Sequence, residues 1–327
     1  MERNIGKWIG IGAAAALLAA GCGGELPEDM EDGNGAATTS VIKFVFVIAM
    51  ENHDASQIYG NTTNAPYINN TLIPQYAHAT NFNDELPSLA SEPHYLWMEA
   101  GTNAFADHTF TTDNDPSGTN STTSTAHLTT QIKNATNGVT WRTYQEGINS
   151  TTGTCPIASS GFYAAKHNPF VFFKDVSGNP PSKTNTYCTN HTKALTALAA
   201  DLSNVAVANY NFITPNLCND MHGASGCPNS NTIQSGDNWL KNNLPAMITF
   251  ANAHAGAIFI TWDEGSSTTK MPFLAVGPHV KANHTGTVSY NHSSIIKSVE
   301  EILQLSILSK VSSANDLGEL FVSGFFP

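Results

Sequence analysis

The apolar run Val41-Ile42-Lys43-Phe44-Val45-Phe46-Val47-Ile48-Ala49-Met50 stops abruptly at Glu51-Asn52-His53. A second run, Ala257-Ile258-Phe259-Ile260-Thr261-Trp262, stops in the same way at Asp263-Glu264-Gly265. Near-continuous apolar runs mark strands buried on both faces, as in parallel sheets. Further strands are expected over 139–144, 205–214 and 273–276. Helical spacing is expected over 91–100, 193–202, 238–253 and 293–303, the last with Ile295, Ile296, Val299, Ile302 and Leu303 on one face. Alternating strands and helices predict an α/β fold, a mostly parallel central sheet with helices on both faces. Ligands in such sheets bind beyond the carboxyl ends of the strands, so both acidic termini are expected to face one crevice. Carboxylates gathered there repel one another unless a cation sits between them.

A chain of 327 residues suits one large domain, expected over 41–327. The net charge of −12, with 12% charged residues and no basic run, argues against nucleic-acid binding, which needs cations to displace phosphate counterions. The Thr/Ser/Asn-rich region 111–130 is expected to be a long surface loop near the site mouth, a composition that equally suits a disordered flap.

Arg3 and Lys7 precede an apolar segment, 8–20, that closes on Ala19-Ala20-Gly21-Cys22, the pattern of a signal peptide over 1–22. The segment is short for a membrane span. Leu17-Leu18-Ala19-Ala20-Gly21-Cys22 resembles a bacterial lipobox, whose cysteine is lipidated, although Ala19 stands where that motif usually has Leu. A plain cleaved signal peptide is the alternative. Residues 23–40, Gly-, Glu- and Asp-rich without periodicity, read as a flexible tether. Cys155, Cys188, Cys218 and Cys227 remain, an even number that suits an exported protein with two disulfides. Cys155 with Cys188 and Cys218 with Cys227 close the shortest loops, and the crossed pairings stay open.

Ser91-Glu92-Pro93-His94-Tyr95-Leu96 reads as a loop-to-helix junction, with a hydroxyl at the N-cap and proline in the first turn. Free N–H groups and the positive end of the helix dipole at such a junction attract anions, so Ser91 would meet a phosphate there. An ordinary capping serine is the commoner meaning of this feature in isolation. Here it is not isolated: Glu51-Asn52, the Ser-x-Pro-x-Tyr-Leu segment, Thr214-Pro215-Asn216-Leu217-Cys218-Asn219-Asp220-Met221-His222, Asp263-Glu264-Gly265 and Tyr290-Asn291-His292-Ser293 occur in that order. In these motifs, from Phe44 to Leu305, the chain resembles the phosphoesterase family of acid phosphatases and bacterial phospholipases C, within the alkaline-phosphatase-like superfamily.

The resemblance implies an alkaline-phosphatase-like fold and a metal-dependent hydrolase of phosphate esters that acts through a phosphoseryl intermediate. It implies Glu51, Asn52, Asp263 and Glu264 as metal ligands, and Ser91 as nucleophile and ligand together. Asp220, His222 and His292 match the family's other cluster. They would hold a second metal, or Asp220 would bind phosphate while the two histidines act in catalysis. His94 stands where the family motif has Asn, and it can donate to a phosphoryl oxygen only from a protonated nitrogen. His167, in His167-Asn168-Pro169-Phe170, is expected at the substrate end of the cleft. The Asp-Glu pair, where relatives often show Asp-His, favours magnesium, manganese or calcium over zinc. His53 and His127 are expected to be structural or surface residues, and Asp54, Asp107 and Asp113 loop acids.

The compact chain points to a phosphomonoesterase of acid-phosphatase type. A phosphodiesterase or phospholipase C is the alternative, and a catalytically inactive surface binding lipoprotein the alternative of another class. If Cys22 carries a lipid, Cys22→Ser releases the protein from membranes without altering its catalysis, as fractionation would show. Unchanged membrane partition would instead indicate an uncleaved anchor.

Overall fold

The computed structural model describes residues 41–148 and 153–327; the signal segment, the lipobox cysteine and the tether lie outside the described residues. One sheet is built from β1 (Phe44–Met50), β2 (Ala77–Asn83), β3 (Trp141–Gln145), β4 (Thr192–Ala194), β5 (Tyr210–Thr214), β6 (Gly256–Trp262), β7 (Lys270–Val276), β8 (His284–Gly286) and β9 (Tyr290–Asn291). Its spatial order is β4-β3-β5-β1-β6-β7-β2-β8, with β9 beside β2. β7 alone runs antiparallel to its neighbours β6 and β2. The two apolar runs are adjacent central strands, with Met50 opposite Trp262 in parallel register. That position explains their composition, because a strand covered on both faces has no solvent side on which to place polar residues.

Register also assigns the helices to faces. Phe46 pairs with Asn211 and Val47 with Phe212, so Phe46 and Phe212 point to opposite faces of the sheet. Phe46 meets Phe250 of helix Thr232–His254, with ring centroids 5.8 Å apart. Phe212 meets Tyr95 of helix Ser91–Ala100 at 6.4 Å. The sheet is therefore covered on both sides, as expected. Helix His292–Ile302 lies beside the Ser91 helix, where Trp97 Nε1 donates to Ser293 Oγ at 2.8 Å.

One local expectation is corrected, one strand was missed, and one alternative falls away. Residues 193–202 are not one helix: β4 pairs with β3 first, and a 3₁₀ turn then leads into helix Leu198–Ser203. The apolar periodicity was real, but the open edge of β3 captured the segment's start, and Lys193 Nζ reaches back to Asp201 Oδ2 at 2.7 Å. β2 carries no apolar run and escaped the pattern. Its register shifts between Ala79 and Phe82, and its polar residues are partly exposed. Nor is 111–130 a free flap. Asp107 accepts from Thr122 Oγ1 at 2.6 Å and from Thr123 N at 2.7 Å, Thr122 is buried, and helix Leu128–Asn134 begins inside the range.

Both disulfides take the uncrossed pairing, Cys155–Cys188 and Cys218–Cys227. The first spans 33 residues and is fully buried. Replacing both its cysteines by Ala is expected to cost about 3–4 kcal/mol through the freed unfolded chain, read as a lowered urea midpoint. A midpoint unchanged within error would show that the bridge adds nothing to stability.

Candidate active site

Three neighbouring parallel strands deliver the acids. Glu51 follows β1, Asp263 follows β6, and Asp220 sits in the loop after β5. Their backbones are stitched together: Glu51 N donates to Asp220 O at 2.8 Å and Asp263 N to Met50 O at 2.9 Å. Asn52 turns through a left-handed conformation, φ 36°, which Asn tolerates better than most residues. Its backbone N–H then donates to Asp263 Oδ1 at 3.1 Å. Beyond Glu264 the chain bends sharply at Gly265, where a β-carbon would lie 2.1 Å from Thr268 O. Asp54 holds that bend by accepting the backbone N–H groups of Ser266, Ser267 and Thr268 at 3.0–3.1 Å, the loop role expected of it.

Ser91 differs from its expected place by one position. Ala90 is the N-cap, without a side-chain bond, and Ser91 is the first helical residue. Its hydroxyl is thus not consumed in capping. Ser91 Oγ lies 3.2 Å from Glu51 Oε2 and 3.3 Å from Glu264 Oε1, and its single proton can serve only one of them. One turn on, Tyr95 donates to Glu51 Oε1 at 2.6 Å and stacks on His167, centroids 4.8 Å apart and planes within 2°. His167 Nδ1 stands 3.2 Å from Glu51 Oε1 and 3.8 Å from Asp220 Oδ2. Ligand atoms of Glu51, His167 and Asp220 all lie within 4.8 Å of one another.

Burial, then repulsion from Asp263 and Asp220, pushes the Glu51 carboxyl well above its usual range, against the hydrogen bond from Tyr95. Burial likewise raises Asp220 and Asp263. Glu264 is held up at about 7 by burial and by the charge of Asp263. His94 goes the other way. Burial opposes its charge, yet the hydrogen bond to Asp84 and the field of Asp263 outweigh that and hold it at about 9. Burial, with Lys166 and His222 nearby, depresses His167 well below the usual imidazole range, so its ring is neutral.

The structure gathers Glu51, Asn52, Ser91, His167, Asp220, Asp263 and Glu264 at one place, and it engages the rings of three further expected residues, His94, His222 and His292, with other partners. His94 has both ring nitrogens committed, Nδ1 to Ala90 O at 2.8 Å and Nε2 to Asp84 Oδ1 at 2.9 Å, which leaves no N–H for a phosphoryl oxygen. His222 is exposed, with Nδ1 2.7 Å from Gly223 O, and its ring is 6.2 Å from that of His167. His292 is buried with Nε2 2.8 Å from Trp262 O, and burial lowers it to about 4. His222 donates its backbone N–H to Asp220 Oδ1 at 2.8 Å, but the group with ligand spacing among the described residues joins Asp220 to Glu51 and His167. Tyr95, Glu92 and Asp84 were not singled out from sequence. Tyr95 sits one helical turn after Ser91, a spacing that could have flagged it, whereas the partners of Glu92 lie in a distant loop.

Asn52 Oδ1, Asp220 Oδ2, Asp263 Oδ2 and His167 Nε2 are buried without a hydrogen-bond partner. Buried polar atoms are rarely left so, and these surround an excess of carboxylates, so the donor set fits a bound cation.

The fold, a parallel-rich sheet with acids at its strand ends, is shared with a protein of the alkaline phosphatase superfamily. A protein of that superfamily from Vibrio parahaemolyticus aligns in structure over 86% of this chain and 71% of its own, with a TM-score of 0.54 and 10% identity, a likeness of fold. Residues 86–306 match the family model of the Phosphoesterase family, and the chain belongs to that family. It is 27% identical over 313 residues to phosphatidylinositol-3-phosphatase of Mycobacterium tuberculosis, across 95% of this chain and 92% of that protein. It is also 27% identical over 177 residues to a probable acid phosphatase of Kluyveromyces lactis, but the match spans only 39% of that protein. The chain is a phosphoric ester hydrolase.

The raised carboxyl groups make a signed prediction for metal-free protein. Between the ordinary carboxyl range, about 4, and the raised value of Glu264, about 7, these carboxyl groups bind more protons in the native state than in the unfolded chain, so their contribution to stability falls as pH rises. Thermal melts in chelator should drop from pH 5 to pH 8, and stabilisation by added magnesium or manganese should grow over the same range. A melt flat across these pH values, with no metal effect, would contradict the assignment.

Proposed function

We propose that the chain is a metal-dependent phosphomonoesterase in which Ser91 attacks phosphorus and forms a phosphoseryl intermediate. The observation that carries this reading is the Ser91 hydroxyl, free of capping duty at a helix start and 3.2 and 3.3 Å from two carboxylates. Glu51, Asn52, Asp263, Glu264 and Ser91 form an oxygen-rich set for a hard cation, magnesium, manganese or calcium. Glu51, His167 and Asp220 offer a mixed set for a second. When bound, the cation lowers the pKa of the serine hydroxyl and offsets charge on the phosphoryl group.

The remaining roles belong to the chain itself. Glu264, held near 7, and Glu51 are the acceptors within reach of the Ser91 proton. The positive end of the helix dipole at Ser91 favours the phosphoryl group, although the Glu92 N–H is taken by Asp113 Oδ1 and Pro93 has none. Oγ bonds to phosphorus as the alcohol leaves, and water then hydrolyses the phosphoserine. His222, on the solvent side, is better placed than buried, neutral His292 to protonate the departing alkoxide. His94 supplies a fixed positive charge near Asp263. The relatives' names, a phosphatidylinositol phosphatase and an acid phosphatase, support a monoester substrate. Export, with attachment through Cys22, is part of the same proposal and draws support from the two disulfides.

Ser91→Ala is expected to keep the fold and most metal affinity while lowering turnover of para-nitrophenyl phosphate by at least about 10³-fold. Acid quench of the wild type with labelled substrate should leave label on Ser91. Full activity in the variant, or label at another residue, would move the nucleophile elsewhere.

A further inference from the structure

The site is rich in negative charge, yet the proposed substrate is itself a dianion. His94 cannot meet that substrate, because both its ring nitrogens are engaged inside the protein. Lys270, at the start of β7, is engaged by Asn81 and Asn83. Lys166 remains. It precedes His167, its charge acts on that ring, and its side chain is 20% exposed.

Lys166 Nζ is paired with Asp113 Oδ2, and Asp113 Oδ1 accepts from the backbone N–H of Glu92 at 3.4 Å. Glu92 directly follows Ser91, so Asp113 links the ammonium to the residue beside the reactive serine on one side, and His167 follows it in the chain on the other. The loop that carries Asp113 does not need Lys166 to stay in place. Buried Glu92 accepts from Thr112 Oγ1 at 2.7 Å, Asn114 N at 2.8 Å and Asn120 Nδ2 at 2.8 Å. Asp115 accepts from Ser159 N at 2.7 Å and Ser159 Oγ at 2.6 Å, and Ser159 Oγ in turn accepts from Ala165 N at 2.8 Å. The loop is thus fastened on both flanks of Asp113, and the charge pair is an addition to a structure already held.

A partly exposed pair of this kind contributes little to stability, so exchanging one oxyanion for another on the same ammonium is cheap. We propose that Lys166, parked on Asp113 in the free protein, transfers to a non-bridging oxygen of the bound phosphate and thereby reads the second negative charge that distinguishes a monoester from a diester. The inference rests on the monoester reading above and adds the residue that sets it.

The test compares para-nitrophenyl phosphate with bis-para-nitrophenyl phosphate in metal-loaded wild type, Lys166→Met and Asp113→Asn, with melts to confirm folding. Asp113→Asn keeps an oxygen for the Glu92 N–H but frees the ammonium. Lys166→Met should lower kcat/KM for the monoester by roughly 10- to 100-fold, the scale of one charge-assisted hydrogen bond, and weaken inhibition by inorganic phosphate in parallel. Its diester rate should stay within about threefold of wild type, as expected when no charge contact is lost. Asp113→Asn should leave the monoester KM unchanged or lower it. Opposite behaviour of the two variants supports the proposal. An equal loss on both substrates in both variants would make the pair a structural latch, and an unaltered monoester rate in Lys166→Met would remove Lys166 from recognition. Either result leaves the monoester reading standing if wild type prefers the monoester; a wild-type preference for the diester overturns that reading itself.

Discussion

Repulsion among buried carboxylates is the constraint on which this structure depends. Glu51, Asp220 and Asp263 are fully buried at the carboxyl edge of three adjacent parallel strands, and Glu264 stands beside them. Each raises the charging cost of another, and His94 is the buried cation that offsets part of it. Such a cluster persists only if the backbone fixes it, because loose side chains would turn away from one another. The cross-strand bonds from Glu51 N, Asp263 N and Asn52 N supply that fixing. The same repulsion favours a cation at the site, so the cost of gathering these carboxylates and the chemistry they support have one origin.

The Ser91 helix is held to this centre along its whole length. Glu92 ties its first turn to the loop at 112–120, and Tyr95 ties its middle to Glu51 and His167. Glu99 anchors its last turn by accepting from Thr129 N at 2.8 Å and Thr129 Oγ1 at 2.6 Å, with His127 Nδ1 at 2.8 Å. His127, expected to be structural, is buried between Glu99 and Asp175. Burial opposes its charge, but hydrogen bonds to Asp175 and Glu99 prevail and raise it above the usual imidazole value. A short helix braced at three levels holds its hydroxyl within narrow limits, which is what in-line attack on phosphorus requires.

The expectations that failed did so for identifiable reasons. β2 was invisible because its partners make it a strand: it lies between β7 and the short β8 and β9, and its sequence, Ala-His-Ala-Thr-Asn-Phe-Asn, carries no apolar run. Residues 193–202 kept helical spacing, yet β3 offered an unpaired edge and three residues answered it. The region 111–130 is the expected loop as far as helix Leu128–Asn134, and only its anchoring went unseen, because its partners, Glu92 and Asp107, are acids outside it.

By itself the sequence determined where the central strands end and what chemistry stands at those ends. Both are local properties: an apolar run must be buried, and an acid directly after it must sit at the sheet's edge. The Ser-x-Pro segment was legible as a helix start for the same reason. Tertiary structure alone decided the company these residues keep. It brought His167 onto Tyr95 and beside Glu51 and Asp220, left the Ser91 hydroxyl free of capping, closed both ring nitrogens of His94, and tied His222 to Gly223 and His292 to Trp262. Such contacts join residues from distant parts of the chain, and no periodicity records them. They follow from strand order and register, which place side chains to within an ångström only after the whole sheet has formed.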